Sequence, residues 1–476
     1  MILKGEYMNK QTRRRFLRRA CLATVSTAVP SLFAGVNVSA QAQRRRKKPN
    51  IIFILADDLG YGDLGCYGRK DIRTPAIDGI AAEGVKFTQY YSNGPECSPT
   101  RTAFLTGRYQ QRVGGLECAI GNGNVGRYDD AIRLRETNDL GLPVEETSIA
   151  RMLKDAGYAT AITGKWHLGY EPKFAPNLHG FDHAFYAIGG GMDYFHYIDT
   201  VYSYYLFQNG KPIRREGYFT DLATDEAVKF IDRHADEPFF LYVPYTAPHS
   251  PFQGPDDYKP DPLPGDSPLW NQGKAPPDVY IAMIEHMDKC IGRILNKLDE
   301  KALAEDTVVI FSSDNGGTGS ARNTPLSKSK GTTFEGGIRV PAVARWPGRI
   351  AKGLVSDQAC ITFDFSASIV RIAGAKVPPG RDLDGIDVLK LVETGRPPQK
   401  RTLFWRGRRG QRTRKAVRDG DMKYIWQTDG KKTEEYLFDL KSDVSESRDL
   451  IAKRPGETRR LKALLADWET EVRPTR

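Results

Sequence analysis

Residues 51–58 read Ile-Ile-Phe-Ile-Leu-Ala-Asp-Asp, and this stretch decides the fold class of the chain. The unbroken apolar run at 51–55 is typical of a strand that is buried on both faces of a sheet. The carboxylates Asp57 and Asp58 follow it directly. In parallel α/β sheets, ligands bind beyond the carboxyl ends of the strands. The stretch therefore predicts a core strand that delivers two acidic side chains to a binding edge.

Strands and helices alternate through the rest of residues 49–395. We predict strands at 159–162, 239–243 and 307–311, and helices at 145–156, 221–234 and 277–298. This order predicts an α/β fold with helices flanking a large mixed, mostly parallel sheet.

A smaller C-terminal α+β subdomain is predicted at 396–476. The pattern of predicted secondary structure changes after residue 396, where short β-like pieces and a terminal amphipathic helix replace the long elements. These pieces lie at 403–405, 423–426, 436–439 and 455–471. Residues 49–395 are then the catalytic domain.

The N-terminus accounts for the net charge of +11, because residues 49–476 are neutral on balance. The charge is therefore no argument for a nucleic-acid partner. Residues 12–17 (Thr-Arg-Arg-Arg-Phe-Leu) look like a twin-arginine export signal, and an apolar stretch and a small-residue site, Val38-Ser39-Ala40, follow. We predict a signal peptide at 1–40 and a basic leader at 41–48. The protein would pass the Tat translocase and be periplasmic or secreted in a bacterium, with no stable membrane anchor.

Cysteines are sparse in the chain that would remain after cleavage. Five would be left, at positions 66, 97, 118, 290 and 360, and no Cys-x-x-Cys pair occurs. This pattern favours neither a disulfide scaffold nor a zinc ribbon, and it leaves open whether the remaining thiols pair.

A second acidic pair, Asp314 and Asn315, follows the apolar strand predicted at 307–311. Both pairs would reach the same edge of the sheet, and their oxygens are hard ligands that suit Ca²⁺ or Mg²⁺. Either pair alone is equally explained by helix capping or a turn. Two such pairs after two apolar strands favour a metal site.

Three further motifs carry cationic or imidazole side chains. Lys165 and His167 follow the strand at 159–162, His249 lies between two prolines after the strand at 239–243, and Lys330 opens a glycine-rich segment. Such groups could converge on one anion. A surface lysine, a packed histidine or an ordinary basic loop would explain each motif by itself.

Cys97-Ser98-Pro99-Thr100-Arg101 reads Cys-x-Pro-x-Arg in an expected loop, and Thr-Ala-Phe-Leu-Thr-Gly-Arg follows. With the other motifs in the same chain order, it resembles the site of a type I (formylglycine-dependent) sulfatase, arylsulfatase-like, of the alkaline phosphatase superfamily. The resemblance covers residues 49–350 by motif and the C-terminal part by texture. Glu96 and Thr163 depart from the usual pattern, and Glu96 bears on recognition by the modifying enzyme.

The resemblance implies the cofactors. A formylglycine-generating enzyme would convert Cys97 to formylglycine (3-oxoalanine), whose hydrate is the nucleophile that attacks sulfur. One Ca²⁺ would be held by Asp57, Asp58, Asp314 and Asn315, with the modified Cys97 close to the ion.

The resemblance also implies the roles of the remaining site residues. Lys165 and Lys330 would bind sulfate oxygens, and Arg101 would orient the formylglycine. His249 would protonate the leaving alkoxide, and His167 would help the second hydroxyl to expel sulfate.

A Gly-rich and aromatic segment, residues 189–196, has the composition of a sugar site. We expect Asp193 and His196 to contact a sulfated saccharide there. The other histidines are treated as structural, and specificity is expected in long loops at 117–143, 187–220 and 250–278.

Two other functions stay open. A relative with the same nucleophile could cleave phosphate diesters or phosphonate monoesters, and a catalytically silent protein could bind sulfated glycan without turnover. The sequence does not give the glycan, the sulfate position, exo or endo action, or the oligomeric state.

Overall fold

The computed structural model describes residues 48–474. The signal peptide predicted at 1–40 and residues 41–47 of the predicted leader lie outside the described residues. Within the described part of the chain, no helix combines the length and the apolar character needed to span a bilayer.

Residues 48–474 contain sixteen strands, most of them short. They are β1 (Asn50–Ala56), β2 (Val85–Phe87), β3 (Tyr90–Tyr91), β4 (Ala159–Lys165), β5 (His183–Ala187), β6 (Leu206–Gln208), β7 (Lys211–Pro212), β8 (Phe239–Pro244), β9 (Thr307–Ser313), β10 (Ala342–Arg345), β11 (Leu354–Ser356), β12 (Cys360–Ile361), β13 (Thr402–Arg409), β14 (Arg412–Asp419), β15 (Met422–Thr428) and β16 (Thr433–Asp439).

The same range contains ten α-helices. They are α1 (Pro75–Ala82), α2 (Cys97–Thr106), α3 (Asp129–Glu136), α4 (Ile149–Asp155), α5 (Phe219–Arg233), α6 (Pro277–Glu300), α7 (Glu335–Ile338), α8 (Thr362–Ala373), α9 (Val388–Glu393) and α10 (Pro455–Glu471).

Ten strands form one sheet in the order β11-β2-β10-β9-β1-β8-β4-β5-β6-β7. The five central strands, from β9 to β5, run parallel, whereas β10 and β6 pair antiparallel on either side. The predicted mixed, mostly parallel sheet is therefore confirmed.

Strand β1 separates two apolar layers because its side chains alternate between the faces of the sheet. Ile51, Phe53 and Leu55 face the layer built with α2, α4, α8 and α9, and Ile52 and Ile54 face the layer built with α1, α5 and α6. All of these side chains are fully buried. Burial on both faces is what the uninterrupted apolar run at 51–55 predicted.

The C-terminal residues form a four-stranded antiparallel sheet, β13-β14-β15-β16, covered by α10. Leu461 and Trp468 of the helix are buried, and Trp468 stacks on Phe404 of β13 with a centroid distance of 5.2 Å. The predicted α+β texture is confirmed, although β14 was missed because its sequence is dominated by charged residues. The domain boundary at 396 stays a prediction.

Two other local predictions need correction. Helix α4 begins at Ile149 and not at residue 145, because the Ser148 hydroxyl caps it by accepting a hydrogen bond from the Arg151 N–H. The segment 117–143, predicted as a loop, contains α3, whose first turn carries Asp129 and Asp130 and whose last turn carries two arginines. Such a charge distribution stabilises a short helix through its dipole.

Candidate active site

The carboxyl ends of β1, β4, β8 and β9 meet at one place. Ala56 of β1 pairs with Ser313 of β9, so Asp57 and Asp314 leave the sheet side by side. Lys165 is the last residue of β4, and His249 follows β8. The structure thus brings together the residues that the sequence predicted at this edge.

Cys97 is the first residue of α2 and not part of a loop. Its Sγ lies 3.2 Å from Oδ1 of Asp57 and 3.7 Å from Nζ of Lys330. Burial and the charge of Asp57 raise the pKa of the thiol well above its usual value, so the unmodified side chain stays protonated.

Asp57 is the most strongly paired carboxylate of the site. It accepts a hydrogen bond from the Lys165 ammonium, and Nη2 of Arg101 lies 3.4 Å from its Oδ2. Burial opposes ionisation, but the charges of Lys165, Arg101 and Lys330 hold the pKa of Asp57 well below its usual range. Asp57 is thus a permanent anion beside position 97.

Arg101 ties the second carboxylate to helix α2. Its Nε and Nη2 lie 3.2 and 2.8 Å from Oδ2 of Asp314, and its Nη1 donates to the Lys165 carbonyl at 3.1 Å. Burial and the nearby charge of Asp57 raise the pKa of Asp314, although Arg101 opposes the shift. The buried guanidinium holds the two strand ends and α2 in one arrangement.

Asp58 joins Lys330 and Asn315. The Lys330 ammonium lies 2.7 and 2.8 Å from the two carboxylate oxygens, and Nδ2 of Asn315 lies 2.6 Å from Oδ1. The other amide atom of Asn315, Oδ1, is buried without a partner. An orphaned carbonyl oxygen beside two carboxylates is a donor that a cation would satisfy.

The donor set fits a hard divalent cation. One ligand atom from each of Asp57, Asp58, Cys97 and His249 lies within 4.8 Å of the others. Carboxylate and amide oxygens are the ligands that Ca²⁺ and Mg²⁺ prefer. In the structure His249 also lies close to the predicted metal ligands Asp57 and Asp58. The carboxylate of Asp314 instead accepts a hydrogen bond from Arg101.

His249 is held as a neutral imidazole. Its Nδ1 lies 2.5 Å from the Ser250 carbonyl, to which it must donate, so Nε2 accepts from the Gln272 amide at 2.8 Å. Nε2 also lies 3.6 Å from Oδ2 of Asp58. Burial lowers the pKa of His249 to about 4, against the charges of Asp57 and Asp58. Nε2 is therefore the atom that can take up and deliver a proton.

His167 has the opposite tautomer. Its Nε2 lies 2.8 Å from the Ile120 carbonyl and must carry the hydrogen, which leaves Nδ1 as a buried acceptor without a partner. Burial and the charge of Lys165 lower the pKa of His167 well below its usual value. The arrangement is that of a base.

Two glycines that the sequence analysis assigned to a sugar site instead pack on the histidines. A Cβ at Gly190 would lie 2.7 Å from Cε1 of His167, and a Cβ at Gly191 would lie 3.1 Å from Cε1 of His249. The Gly-Gly-Gly run is the signal that could have revealed this, since backbone without side chains permits close approach.

Asp193 and His196 do not join this cluster through any contact. The carboxylate of Asp193 is fully buried and accepts from the N–H groups of Phe195, His196 and Leu263. Nε2 of His196 lies 3.2 Å from the Pro260 carbonyl. This geometry favours a role in positioning the 250–278 segment, and contact with substrate stays a prediction.

Residues of the C-terminal sheet support the Lys330 segment, which the sequence analysis missed. The fully buried Lys423 ammonium lies 2.8 Å from Glu335 and 2.9 Å from Glu446. Glu446 in turn accepts from the Ser327 hydroxyl and the Glu335 N–H, at 2.6 and 2.7 Å. No local signal marks these residues, because a lysine in a β-strand gives no indication of burial.

The fold and the site match known proteins. Residues 49–375 match the family model described as Sulfatase, and residues 329–470 match that of the N-sulphoglucosamine sulphohydrolase C-terminal region. N-acetylgalactosamine-6-sulfatase of Homo sapiens is 35% identical over 380 residues, which are 75% of this chain and 68% of that protein. Steryl-sulfatase of Homo sapiens is 31% identical over 430 residues, 73% of this chain and 70% of that protein.

A solved structure agrees with these sequence matches. The crystal structure of Ps i-CgsB in complex with k-i-k-neocarrahexaose has a TM-score of 0.77 at 30% identity and covers 89% of this chain and 93% of that one. An α/β sheet with this set of charges at its carboxyl edge defines a hydrolase of the alkaline phosphatase superfamily. The chain belongs to the sulfatase family, as a type I sulfatase that hydrolyses sulfuric esters.

Replacing Lys423 by Met should destabilise the protein by about 3–5 kcal/mol, because two buried carboxylates lose their shared cation. Activity should fall as well, since the segment that carries Lys330 loses its support. Chemical denaturation measures the first effect. Lys432→Met is the matched control: Lys432 pairs with Glu434 at the surface, and its loss should leave the unfolding midpoint unchanged. Equal midpoints for both variants would contradict the role of Lys423.

Stability should depend on pH through His179, which packs on Trp166 with a centroid distance of 5.4 Å. Burial and the charge of Arg151 lower the pKa of His179 to about 4. The unfolded chain takes up this proton at pH 6.5, so the contribution is intact above pH 6.5 and is lost as pH falls toward 4. The free energy of unfolding should fall by about 1.4 kcal/mol more per pH unit than in His179→Leu. Parallel curves for the two proteins would refute this prediction.

Proposed function

We propose that this sulfatase acts on a sulfated carbohydrate, with formylglycine made from Cys97 as nucleophile and one calcium ion held by Asp57, Asp58, Asp314 and Asn315. The observation that carries the proposal is the location of the Cys97 side chain. It lies between an anion, Asp57, and a cation, Lys330, with distances of 3.2 and 3.7 Å.

Charge balance supports a cation and an anionic substrate together. Three buried carboxylates of the site, Asp57, Asp58 and Asp314, face three buried cations, Arg101, Lys165 and Lys330. A divalent ion would leave this set of charges net positive, and the negative charge of a sulfate ester would offset part of the excess. Buried charges are tolerated when they are paired in this way.

When bound, the ion would polarise the sulfate oxygens, and the hydrated aldehyde would supply a nucleophilic hydroxyl at position 97. Lys165 and Lys330 now pair with Asp57 and Asp58. Both carboxylates are calcium ligands in the proposal, so the two ammonium groups can turn to the sulfate oxygens. There they offset the charge that builds up during the transfer.

The two histidines have different tautomers, and each would therefore carry out a different proton transfer. In the neutral tautomer Nε2 of His249, which faces Asp58, carries no proton, so it would first take one up from solvent as the anionic substrate enters and then deliver it to the leaving oxygen. His167 presents an unpartnered Nδ1, which would accept the proton of the second hydroxyl when sulfate is expelled. Arg101 keeps α2, and with it position 97, fixed against Asp314.

The relatives favour a saccharide over other sulfate esters. N-acetylgalactosamine-6-sulfatase, at 35% identity, and the structure in complex with k-i-k-neocarrahexaose, at 30%, point to sugars. Steryl-sulfatase, at 31%, is the counterexample. We further propose that the chain is exported through its N-terminal segment, where sulfated polysaccharides are met, and that a formylglycine-generating enzyme modifies Cys97.

Purified protein from a host with the modifying enzyme should contain a Cys97 peptide in which sulfur is replaced by an aldehyde oxygen. The same protein should hydrolyse a sulfated saccharide and an aryl sulfate, and lose both activities in Cys97→Ala or after removal of calcium. Mass spectrometry and sulfate release are the measurements. An intact thiol with tight glycan binding would instead indicate a silent binding protein. Faster cleavage of the matching aryl phosphodiester or phosphonate would indicate the other hydrolase class.

His249→Ala should lower activity more on a substrate with a poor leaving group than on a substrate with a good one. Loss of a general acid lowers kcat by roughly 10²–10⁴-fold for a sugar sulfate, whose alkoxide leaves poorly. The loss should be much smaller for a nitrophenyl sulfate, whose phenolate needs no proton. His167→Ala is the comparison, because the proposed base acts after the leaving group has gone. Equal losses on both substrates in His249→Ala would rule out the acid role.

A further inference from the structure

Three arginines beside position 97 have no part in the chemistry described above. Arg127 lies before α3, Arg409 ends β13, and Arg414 lies on β14. We refer to Arg127, Arg409 and Arg414 as the arginine cluster. All three are partly exposed, so the cluster is open to a ligand.

Arg409 reaches the residue that precedes the nucleophile. Its Nε and Nη2 lie 3.0 and 2.7 Å from the carboxylate of Glu96, which also accepts from the Ala119 N–H at 3.0 Å. Glu96 is buried and directly precedes α2, and its carboxylate makes no capping hydrogen bond to the helix. The unusual glutamate before Cys97 is thus the anchor of the cluster.

The pairing of β13 with β14 directs Arg414 to the same side. Gly407 lies opposite Arg414, and Arg409 is two residues further along β13. Opposite residues in a sheet, and residues two apart on one strand, project from the same face. A Cβ at Gly407 would lie 3.4 Å from Cγ of Pro95, so this face looks onto the segment that leads to position 97.

Arg127 closes the cluster from the other side. The Gly410 N–H donates to its carbonyl at 2.5 Å, which joins it to the β13–β14 turn. A Cβ at Gly121 would lie 3.1 Å from Nε of Arg127, and the neighbouring Ile120 carbonyl holds His167. The guanidinium therefore lies along the wall that supports the proposed base.

The arginine cluster carries more positive charge than Glu96 can neutralise. Glu96 is engaged by Arg409, whereas the guanidinium groups of Arg127 and Arg414 have no hydrogen bond or ion pair with any residue in the described range. Burial and the charge of Arg409 lower the pKa of Arg127, and burial together with Arg412 and Arg409 lowers that of Arg414 despite Glu96. Arg408, on the opposite face of β13, is by contrast paired with Asp129 and Asp130.

We propose that the arginine cluster binds a second anionic group, a sulfate ester or a carboxylate, on the saccharide whose reacting sulfate lies at position 97. Two unpaired guanidinium groups suit this ligand, because each can donate two parallel hydrogen bonds to such an anion. The inference rests on the proposed saccharide function and narrows the substrate to polyanionic glycans.

The test compares three saccharides that differ only beside the reacting sulfate: one with a second sulfate, one with a carboxylate and one with neither. Wild-type enzyme with known aldehyde content should prefer an anionic substrate, mainly through KM. The preference, as a ratio of kcat/KM values, should fall about tenfold in Arg127→Ala and in Arg414→Ala, as expected for a lost charge-assisted hydrogen bond. Whichever of the two anionic saccharides is preferred more strongly identifies the anionic group that the cluster binds.

Two further variants separate binding from support of the hairpin. Arg414→Lys keeps the charge and should retain part of the preference, whereas Arg133→Ala, an exposed arginine of α3, should leave it unchanged. Thermal unfolding shows whether each variant is folded. If folded Arg127→Ala and Arg414→Ala lose activity equally on all three saccharides, or keep the wild-type ratio, the subsite is refuted.

The subsite can be tested even if no saccharide is cleaved. Hydrolysis of an aryl sulfate then serves as the readout, and the three saccharides act as competitors. Stronger inhibition by the disulfated or carboxylated competitor, weakened in Arg127→Ala and Arg414→Ala, supports the subsite although the proposed substrate is wrong. Equal inhibition by all three overturns it.

Discussion

Two carboxylates with no access to water, Asp57 and Asp314, stand side by side because Ala56 is paired with Ser313. Two neighbouring carboxylate charges repel strongly when they are buried away from water. Arg101 makes the arrangement stable by contacting both, and it also binds the Lys165 carbonyl. Position 97 lies one helical turn before Arg101, so the location of its side chain follows from the need to neutralise the two acids.

The other charges extend the same principle across the chain. Lys165 comes from β4, Lys330 from the segment before α7, and Lys423 from the C-terminal sheet. Each is buried against carboxylates that come from distant parts of the sequence. Ion pairs of this kind fix register more than they add stability, since desolvation offsets much of the attraction. The site is thus held by a network in which each of these three ammonium groups has a carboxylate partner.

The elements that the sequence predicts best are those with a single strong periodicity. The apolar runs in β1 and β9 and the long helix α6 were placed within two residues at each end. Strands buried on both faces require apolar residues throughout, and one buried helix face requires apolar residues at helical spacing. The charged strand β14 and the short helix α3 were missed, since tertiary contacts stabilise them. Motif residues of the site converged as predicted. The roles of Glu96, Gly190 and Lys423 depend on approaches between segments far apart in sequence, which a linear pattern does not encode.

The burial of Cys97 has a consequence for the order of events in the cell. Only 1% of its surface is accessible in the folded chain, so a modifying enzyme cannot reach it there. Domains fold as the chain emerges from its N-terminal end during synthesis, and Lys423 and Glu446 emerge late. Until they arrive, the segment around Lys330 lacks its buried partners and the site stays incomplete. The proposed modification of Cys97 would therefore have to precede the docking of the C-terminal sheet.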